Sequence, residues 1–136
     1  KRMTRFNITL QEAVNFVLFC LKKMWGGEIF VPKIASYRLE DLAKAIAPRS
    51  KIKIIGLRPG EKIHEEMIST SDAVNTIEYK KYFIITPYSK FIGWNKKKYM
   101  KFNKNGKNCD SEFSYNSYNN KQYLTSNQIK KLIKSN

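Results

Sequence analysis

Residues 9–32, TLQEAVNFVLFCLKKMWGGEIFVP, predict a helix followed directly by a strand, which is the main evidence for the fold class. Thr9 and Glu12 have the Thr-x-x-Glu spacing of a capping box. Apolar residues then recur at helical spacing, at Ala13, Val14, Val17, Leu21 and Met24. Gly26-Gly27 ends this predicted helix, and residues 28–31 predict a short strand that Pro32 stops.

The residues that follow repeat the order of helix and strand. We expect Ser36 to be the N-cap of a second helix, whose apolar face consists of Leu39, Leu42, Ala43 and Ile46. Residues 51–55 predict a second strand, residues 56–60 a turn, and residues 61–68 a short helix. This alternation of helices and strands indicates the α/β class.

The second half of the chain is less regular. Residues 82–85 predict a further strand, and the Lys- and Asn-rich residues 93–112 predict a long surface loop. Thr125 and Gln128 repeat the capping-box spacing before a terminal amphipathic helix. We therefore divide the chain into residues 1–92, the loop 93–112, and a C-terminal segment 113–136 that carries the terminal helix.

Composition restricts the function classes. The 136 residues carry a net charge of +15, of which +4 lies in residues 1–79 and +11 in residues 80–136. The basic second half is compatible with a polyanion-binding surface, and equally with compositional drift of an A/T-biased gene.

Cys20 and Cys109 are too few for a disulfide framework or a metal site, which fits a reducing cytoplasm. No apolar run is long enough to span a membrane. Because residue 1 is Lys, we expect the chain to begin partway through a longer protein.

The most informative candidate site is the turn Gly56-Leu57-Arg58-Pro59-Gly60-Glu61-Lys62. Pro59 fixes φ and Gly60 permits a conformation closed to other residues, so the turn would hold Arg58 rigidly. A guanidinium matches phosphate oxygens, and an acidic residue such as Glu61 can accept hydrogen bonds from ribose hydroxyls. The alternative is an ordinary turn with a solvated Arg58.

Three other features have weaker functional interpretations. Arg5, with Lys1 and Arg2, would face an anion or form a solvated basic terminus. His64, which the pattern places in a helix, is expected to be a surface residue without metal or catalytic partners. The run Lys96-Lys97-Lys98 among Trp94, Tyr99 and Phe102 would either stack single-stranded nucleic acid or form a solvated loop.

Motifs of redox and hydrolytic enzymes are absent. The sequence has no Gly-x-Gly-x-x-Gly loop, no Tyr-x-x-x-Lys pair and no Gly-x-Ser-x-Gly elbow. The residues alone therefore indicate a basic α/β fragment with one candidate phosphate-holding turn.

Several motifs together resemble a known family. The motifs, in chain order, are Met3-Thr4-Arg5-Phe6, Gly26-Gly27-Glu28-Ile29-Phe30-Val31-Pro32-Lys33, Asp41-Leu42-Ala43 and Arg58-Pro59-Gly60-Glu61-Lys62. Their order and spacing resemble the C-terminal part of the inverting UDP-N-acetylglucosamine 4,6-dehydratases. These enzymes belong to the extended short-chain dehydrogenase/reductase superfamily and serve polysaccharide, flagellin-glycan and pseudaminic acid biosynthesis. The likeness is strongest over residues 1–87.

The resemblance implies the C-terminal substrate-binding portion of a Rossmann-type fold whose dinucleotide-binding part is missing. It implies that Arg5 and Arg58 hold the substrate diphosphate, that Glu61 holds the uridine ribose, and that Lys1 is a weaker substrate-side candidate. NADP and the catalytic residues would belong to the missing N-terminal part, so this chain alone would bind no cofactor or metal and carry no catalytic residue.

In the complete enzyme, the resemblance implies C4 oxidation of a UDP-sugar, loss of water across C5–C6 and hydride return. It also implies a cytoplasmic homo-oligomer without a membrane span, for which nucleic acid is an unlikely partner. The rival hypothesis is a free-standing basic module that binds nucleic acid or another polyanion. A third is an assembly remnant that kept the fold and lost the reaction.

Overall fold

The computed structural model describes residues 2–88 and 93–135 and has a mixed α/β fold, as predicted. Its elements, in chain order, are β1 (Thr4–Asn7), α1 (Leu10–Lys23), β2 (Ile29–Pro32), β3 (Ala35–Arg38), α2 (Leu39–Ile46), β4 (Glu66–Ile68), α3 (Thr70–Ala73), β5 (Thr76–Glu78), β6 (Tyr82–Ile85), α4 (Lys96–Phe102), β7 (Lys107–Asn108), β8 (Tyr115–Asn116) and α5 (Ser126–Ser135).

The chain forms two compact units that interleave along the sequence. The first comprises residues 1–8, 34–66 and 115–136, and the second comprises residues 9–33 and 67–114. Each unit combines segments that are distant in sequence. The division at residues 92 and 112 stays a prediction.

The first unit is built around the antiparallel pair of β1 and β3, whose register runs from Thr4 opposite Arg38 to Asn7 opposite Ala35. Helix α2 packs against α5. Ser36 is fully buried in β3, where its backbone bonds Gln122 and Leu124. The prediction that Ser36 caps a helix is therefore wrong. Pairing with β1 draws this residue into a strand, and α2 begins only after Arg38.

The second unit contains a four-stranded antiparallel sheet in the order β2-β6-β5-β7. The strands predicted near residues 28–31 and at 82–85 are confirmed as β2 and β6. The core of this unit contains Ile77, Tyr79, Ile84 and Tyr99, with Phe30, Tyr82, Trp94 and Met100 packed against them.

Helix α1 begins with the predicted capping box. The Thr9 side chain accepts a hydrogen bond from the Glu12 amide, and the Glu12 side chain accepts one from the Thr9 amide. Its predicted apolar face is not the one that packs. Val14, Val17, Leu21 and Met24 are all exposed, whereas Phe16 and Phe19 contact the Tyr82 ring on β6. The helix is apolar on several sides, so periodicity alone did not identify the side that contacts the sheet.

Three further predicted elements are wrong. Residues 51–55 form no helix or strand in the described chain, and residues 61–65 are irregular, with β4 following at Glu66. The predicted loop 93–112 contains α4, which the Asn95 side chain caps by accepting from the Lys98 amide at 3.0 Å. Burial of Tyr99 fastens this helix to the core of the second unit. By contrast, the terminal helix with its Thr125 and Gln128 capping pair is confirmed.

Candidate functional site

A pocket of about 320 Å³ lies in the first unit beside the Arg58 turn. Its walls are mainly apolar, from Met3, Leu39, Ile52, Ile54 and Ile55. Gly56 and four charged residues complete the lining, the charged ones being Glu40, Lys53, Arg58 and Glu61. A largely apolar concavity with a few charged groups at one side is the usual composition of a small-molecule site.

The isoleucine wall comes from residues 52–55, an irregular segment that precedes the turn. Ile54 and Ile55 expose 67% and 74% of their surface, which is unusual for such large aliphatic side chains. Sequence reasoning missed this wall because the pattern Lys-Ile-Lys-Ile-Ile predicts a half-buried strand. The same apolar residues could have signalled a ligand-facing surface only if the absence of a partner strand had been known.

The Arg58 turn is closed by two hydrogen bonds. The Glu61 amide donates to the Arg58 carbonyl at 3.0 Å, and the Arg58 amide donates to Glu61 Oε2 at 3.1 Å. Gly60 has a φ of 78°, a conformation that few residues other than glycine adopt. These contacts close residues 58–61 into a turn that holds both charged side chains at the pocket.

The side chains of Arg58 and Glu61 differ in how many of their polar atoms already have a partner within the described chain. The Arg58 guanidinium is exposed and forms no hydrogen bond or ion pair with any residue the structure describes. Glu61 uses Oε2 to fasten the turn, and its Oε1 has no recorded partner within residues 2–88 and 93–135. The pocket therefore presents an unpaired cation together with an acceptor oxygen.

Arg5 lies on β1 and is not among the residues that line the pocket. Its Nη1 donates to the Thr4 and Ile63 carbonyls at 2.7 and 3.1 Å, and its Nη2 donates to the Lys62 carbonyl at 3.0 Å. Its Nε lies 3.7 Å from Glu65 Oε1. The structure thus places Arg5 against the segment that follows the turn, and its direct contact with a ligand stays a prediction.

His64 lies in an irregular segment and not in the predicted helix. Its Nδ1 is 2.8 Å from Thr4 Oγ1, and its ring lies 4.8 Å from the Tyr118 ring. Thr4 Oγ1 is in turn 2.7 Å from the buried Ser117 Oγ. His64 is therefore part of a structural network, which sequence spacing could not reveal. Lys1, the fourth predicted site residue, lies outside the described residues.

The structure offers no arrangement for a metal or a dinucleotide in the part of the chain it describes. No group of three or more His, Cys, Asp or Glu side chains is placed there to hold a metal ion. Gly26 and Gly27 follow α1, and Gly56 and Gly60 lie in the irregular residues 47–65, so no two glycines open a helix. The residues present do not fit NADP. None of the described helices is long and apolar enough to cross a membrane.

The aromatic residues around the lysine run pack against Trp25 in the second unit. The Trp25 ring lies 6.0, 5.0 and 5.6 Å from the rings of Trp94, Tyr99 and Phe102. Lys96 Nζ donates to the Val74 carbonyl at 3.0 Å, and burial lowers the pKa of this ammonium. Of the residues predicted to form a stacking surface, Trp94, Lys96 and Tyr99 are thus engaged internally, whereas Lys97, Lys98 and Phe102 are exposed.

Several known proteins are similar to this chain. The chain is 43% identical over 133 residues to an inverting UDP-N-acetylglucosamine 4,6-dehydratase from Campylobacter jejuni serotype O:2, covering 97% of this chain and 40% of that protein. It is 33% identical to a UDP-glucose 4-epimerase from Rickettsia akari, covering 96% and 38% of the two chains. This chain therefore spans about two fifths of the length of these relatives.

A solved structure shares the fold. The X-ray structure of Pen from Bacillus thuringiensis matches with a TM-score of 0.75 and 27% sequence identity, over 98% of this chain and 39% of that one. The sequence family described as polysaccharide biosynthesis protein matches residues 1–87, which include β1, α1, β2 and the Arg58 turn. The chain belongs to the polysaccharide biosynthesis protein family.

Proposed function

We propose that this chain is the C-terminal, nucleotide-sugar-binding part of a UDP-N-acetylglucosamine 4,6-dehydratase that acts in the biosynthesis of surface polysaccharides or glycans. The observation that carries this proposal is the unpaired Arg58 guanidinium, held on a closed turn beside an apolar pocket. The names and identities of the Campylobacter relatives support the choice of substrate.

Each part of the pocket has a role in this proposal. Arg58 would neutralise the diphosphate, since its planar fork of donors matches phosphate oxygens. Glu61 would accept hydrogen bonds from the ribose hydroxyls through Oε1, the oxygen that the turn does not use. The wall formed by Ile52, Ile54 and Ile55 would cover the apolar faces of the base and sugar.

The turn lowers the cost of binding. Because residues 58–61 are already closed by two hydrogen bonds, the ligand does not have to order them. We place the redox chemistry and NADP in a part of the protein outside this chain, since the residues described here do not fit a dinucleotide. The complete protein would act on its UDP-sugar in the cytoplasm as a homo-oligomer.

The test is binding of uridine diphosphate to the native protein, measured by calorimetry with Arg58→Ala and the control Arg49→Ala. Both substitutions remove one exposed positive charge, but only Arg58 lines the pocket. A hydrogen bond to a charged group contributes about 1.5–3 kcal/mol, so Arg58→Ala should raise Kd by roughly ten- to a hundredfold. The control should leave Kd nearly unchanged. Equal losses in both variants would refute a specific site.

One observation favours the alternative function, nucleic-acid binding. Phe102 and the neighbouring Lys97, Lys98 and Lys101 are exposed on α4. A polyanion-binding module predicts that oligothymidine binds with an affinity that falls steeply with salt and depends on residues 94–107. A nucleotide-sugar site predicts binding of uridine diphosphate that depends on Arg58 and not on the α4 lysines.

A further inference from the structure

The pocket beside the Arg58 turn has a second cation in its lining, Lys53. The Lys53 side chain is exposed and forms no hydrogen bond or ion pair with any residue in the described ranges 2–88 and 93–135. Its neighbours Ile52 and Ile54 belong to the apolar wall of the same pocket. A lysine can lay its aliphatic stem along such a wall and keep its ammonium group in water. Lys53 is therefore able to reach a ligand that the wall covers.

The acidic residues of the pocket leave this ammonium unpaired. Glu40 Oε1 lies 2.9 Å from Lys44 Nζ, outside the pocket lining, and Glu61 Oε2 accepts from the Arg58 amide at 3.1 Å. With Glu40 compensated in this way, the lining has two cations against the single negative charge of Glu61. A concave surface with an excess of positive charge attracts anions. The pocket is thus suited to a ligand that carries more than one negative charge.

A diphosphate that joins a nucleoside to a sugar has one negative charge on each of its two phosphoryl groups. In the proposed function Glu61 holds the ribose, and Arg58 lies on the same closed turn. The phosphoryl group esterified to the ribose is then the one nearer to Arg58. Lys53 lines the pocket from outside the turn, where the second phosphoryl group would lie. A contact from Arg5 remains compatible with this arrangement, because a phosphoryl group has several acceptor oxygens.

We propose that Lys53 binds the phosphoryl group next to the sugar, and that through it the pocket prefers a diphosphate to a monophosphate. This inference rests on the proposed function of the turn and adds a specificity-determining residue to it. A lysine ammonium is a compact point charge that binds phosphate without the fixed geometry of a guanidinium. Loss of Lys53 therefore weakens only ligands with the second phosphoryl group. Loss of Arg58, by contrast, weakens every ligand that carries a phosphate.

The experiment measures by calorimetry the Kd of uridine diphosphate, uridine monophosphate and uridine for the native protein, Lys53→Met, Lys53→Arg and the control Lys51→Met. Methionine keeps an unbranched side chain and removes the charge. Lys51 is also exposed but does not line the pocket, so its variant reports the loss of one general positive charge. Lys53→Met should raise the Kd of uridine diphosphate roughly fivefold and leave the other two Kd values nearly unchanged. Lys53→Arg should remain close to native, and Lys51→Met should change each Kd by less than about twofold.

The outcomes separate this role from the proposed function. Equal effects of Lys53→Met and Lys51→Met would overturn the role of Lys53, and so would an equal loss of the monophosphate and the diphosphate. If Arg58→Ala weakens uridine diphosphate but Lys53→Met does not, the proposed function stands and the role of Lys53 fails. If the native protein binds none of the three ligands, both fail. Far-UV circular dichroism verifies that each variant is folded.

Discussion

Ionisation of the Tyr79 hydroxyl is coupled to folding. Its hydroxyl donates to the Asn103 carbonyl at 3.1 Å, and only 6% of the residue is exposed. Burial, with a smaller contribution from Tyr82, raises the pKa of Tyr79 from 10.0 to about 12. The folded chain therefore keeps a proton that the unfolded chain releases, so stability is complete below pH 10 and declines as pH rises towards about 12.

The matched variant for this prediction is Tyr79→Phe, which keeps the ring and removes the ionisable hydroxyl. Native protein should be the more stable of the two near pH 8, because it retains the bond to Asn103. Its advantage should shrink by about 1–2 kcal/mol between pH 9 and 11.5 in urea unfolding. Parallel pH profiles for the two proteins would contradict this account.

Residue type predicted the local role of some residues correctly and that of others wrongly. Thr9, Gly60 and Thr125 have the predicted roles, since a cap or a positive φ depends on neighbours within three residues. Ser36 has a residue type that favours an N-cap but is buried in β3, where the Asn120 side chain donates to its hydroxyl at 2.8 Å. That partner is 84 residues away, so no local pattern could identify it.

Helix α1 contributes to stability through one of its apolar sides. The Phe19 ring lies 5.1 Å from the Tyr82 ring in an edge-on arrangement, whereas Val17 is 57% exposed. Phe19→Ala should lower the free energy of unfolding by about 2–3 kcal/mol, below the value for a fully buried phenylalanine because Phe19 is half-buried. Val17→Ala should change it by less than about 0.5 kcal/mol.

Denaturant titration of both variants measures this difference directly. The two substitutions shorten apolar side chains two positions apart on the same helix, so each serves as a control for helix propensity. A larger loss for Val17→Ala would mean that the outward side of α1 is the packed one.

Helices and strands were predictable where their sequence signals are local. Helix α4 also has such a signal, although the sequence analysis predicted a loop there. Asn95 followed by Tyr99 has the cap and the buried residue of a short helix, but the lysines between them favoured a loop. Residues 51–55 show the opposite case. Their alternation is that of a strand, yet the structure supplies no partner strand among the described residues, and the isoleucines face the pocket. Whether an extended segment joins a sheet depends on a partner elsewhere in the chain.

The charge of the whole molecule opposes folding. A net charge of +15 on 136 residues repels itself in the compact state, and ion pairs recorded among the described residues involve only Arg5, Lys33 and Lys44. The melting temperature should therefore rise by a few degrees as sodium chloride increases from about 20 to about 200 mM, because screening shortens the range of repulsion. A melting temperature that falls over this range would contradict net repulsion.

Local sequence patterns were sufficient to predict the α/β class, the helices α1 and α5 with their caps, the strands β2 and β6, and the closed turn that carries Arg58. Hydrophobic period, capping and turn chemistry act over a few residues, so a linear pattern contains them. Long-range contacts, by contrast, are responsible for the hydrogen bonds from Arg5 to the carbonyls of residues 62 and 63, for the contact of Thr4 with Ser117, and for the isoleucine wall of the pocket. Those arrangements join segments 50 to more than 100 residues apart, and their stability comes from partners that a local pattern does not specify.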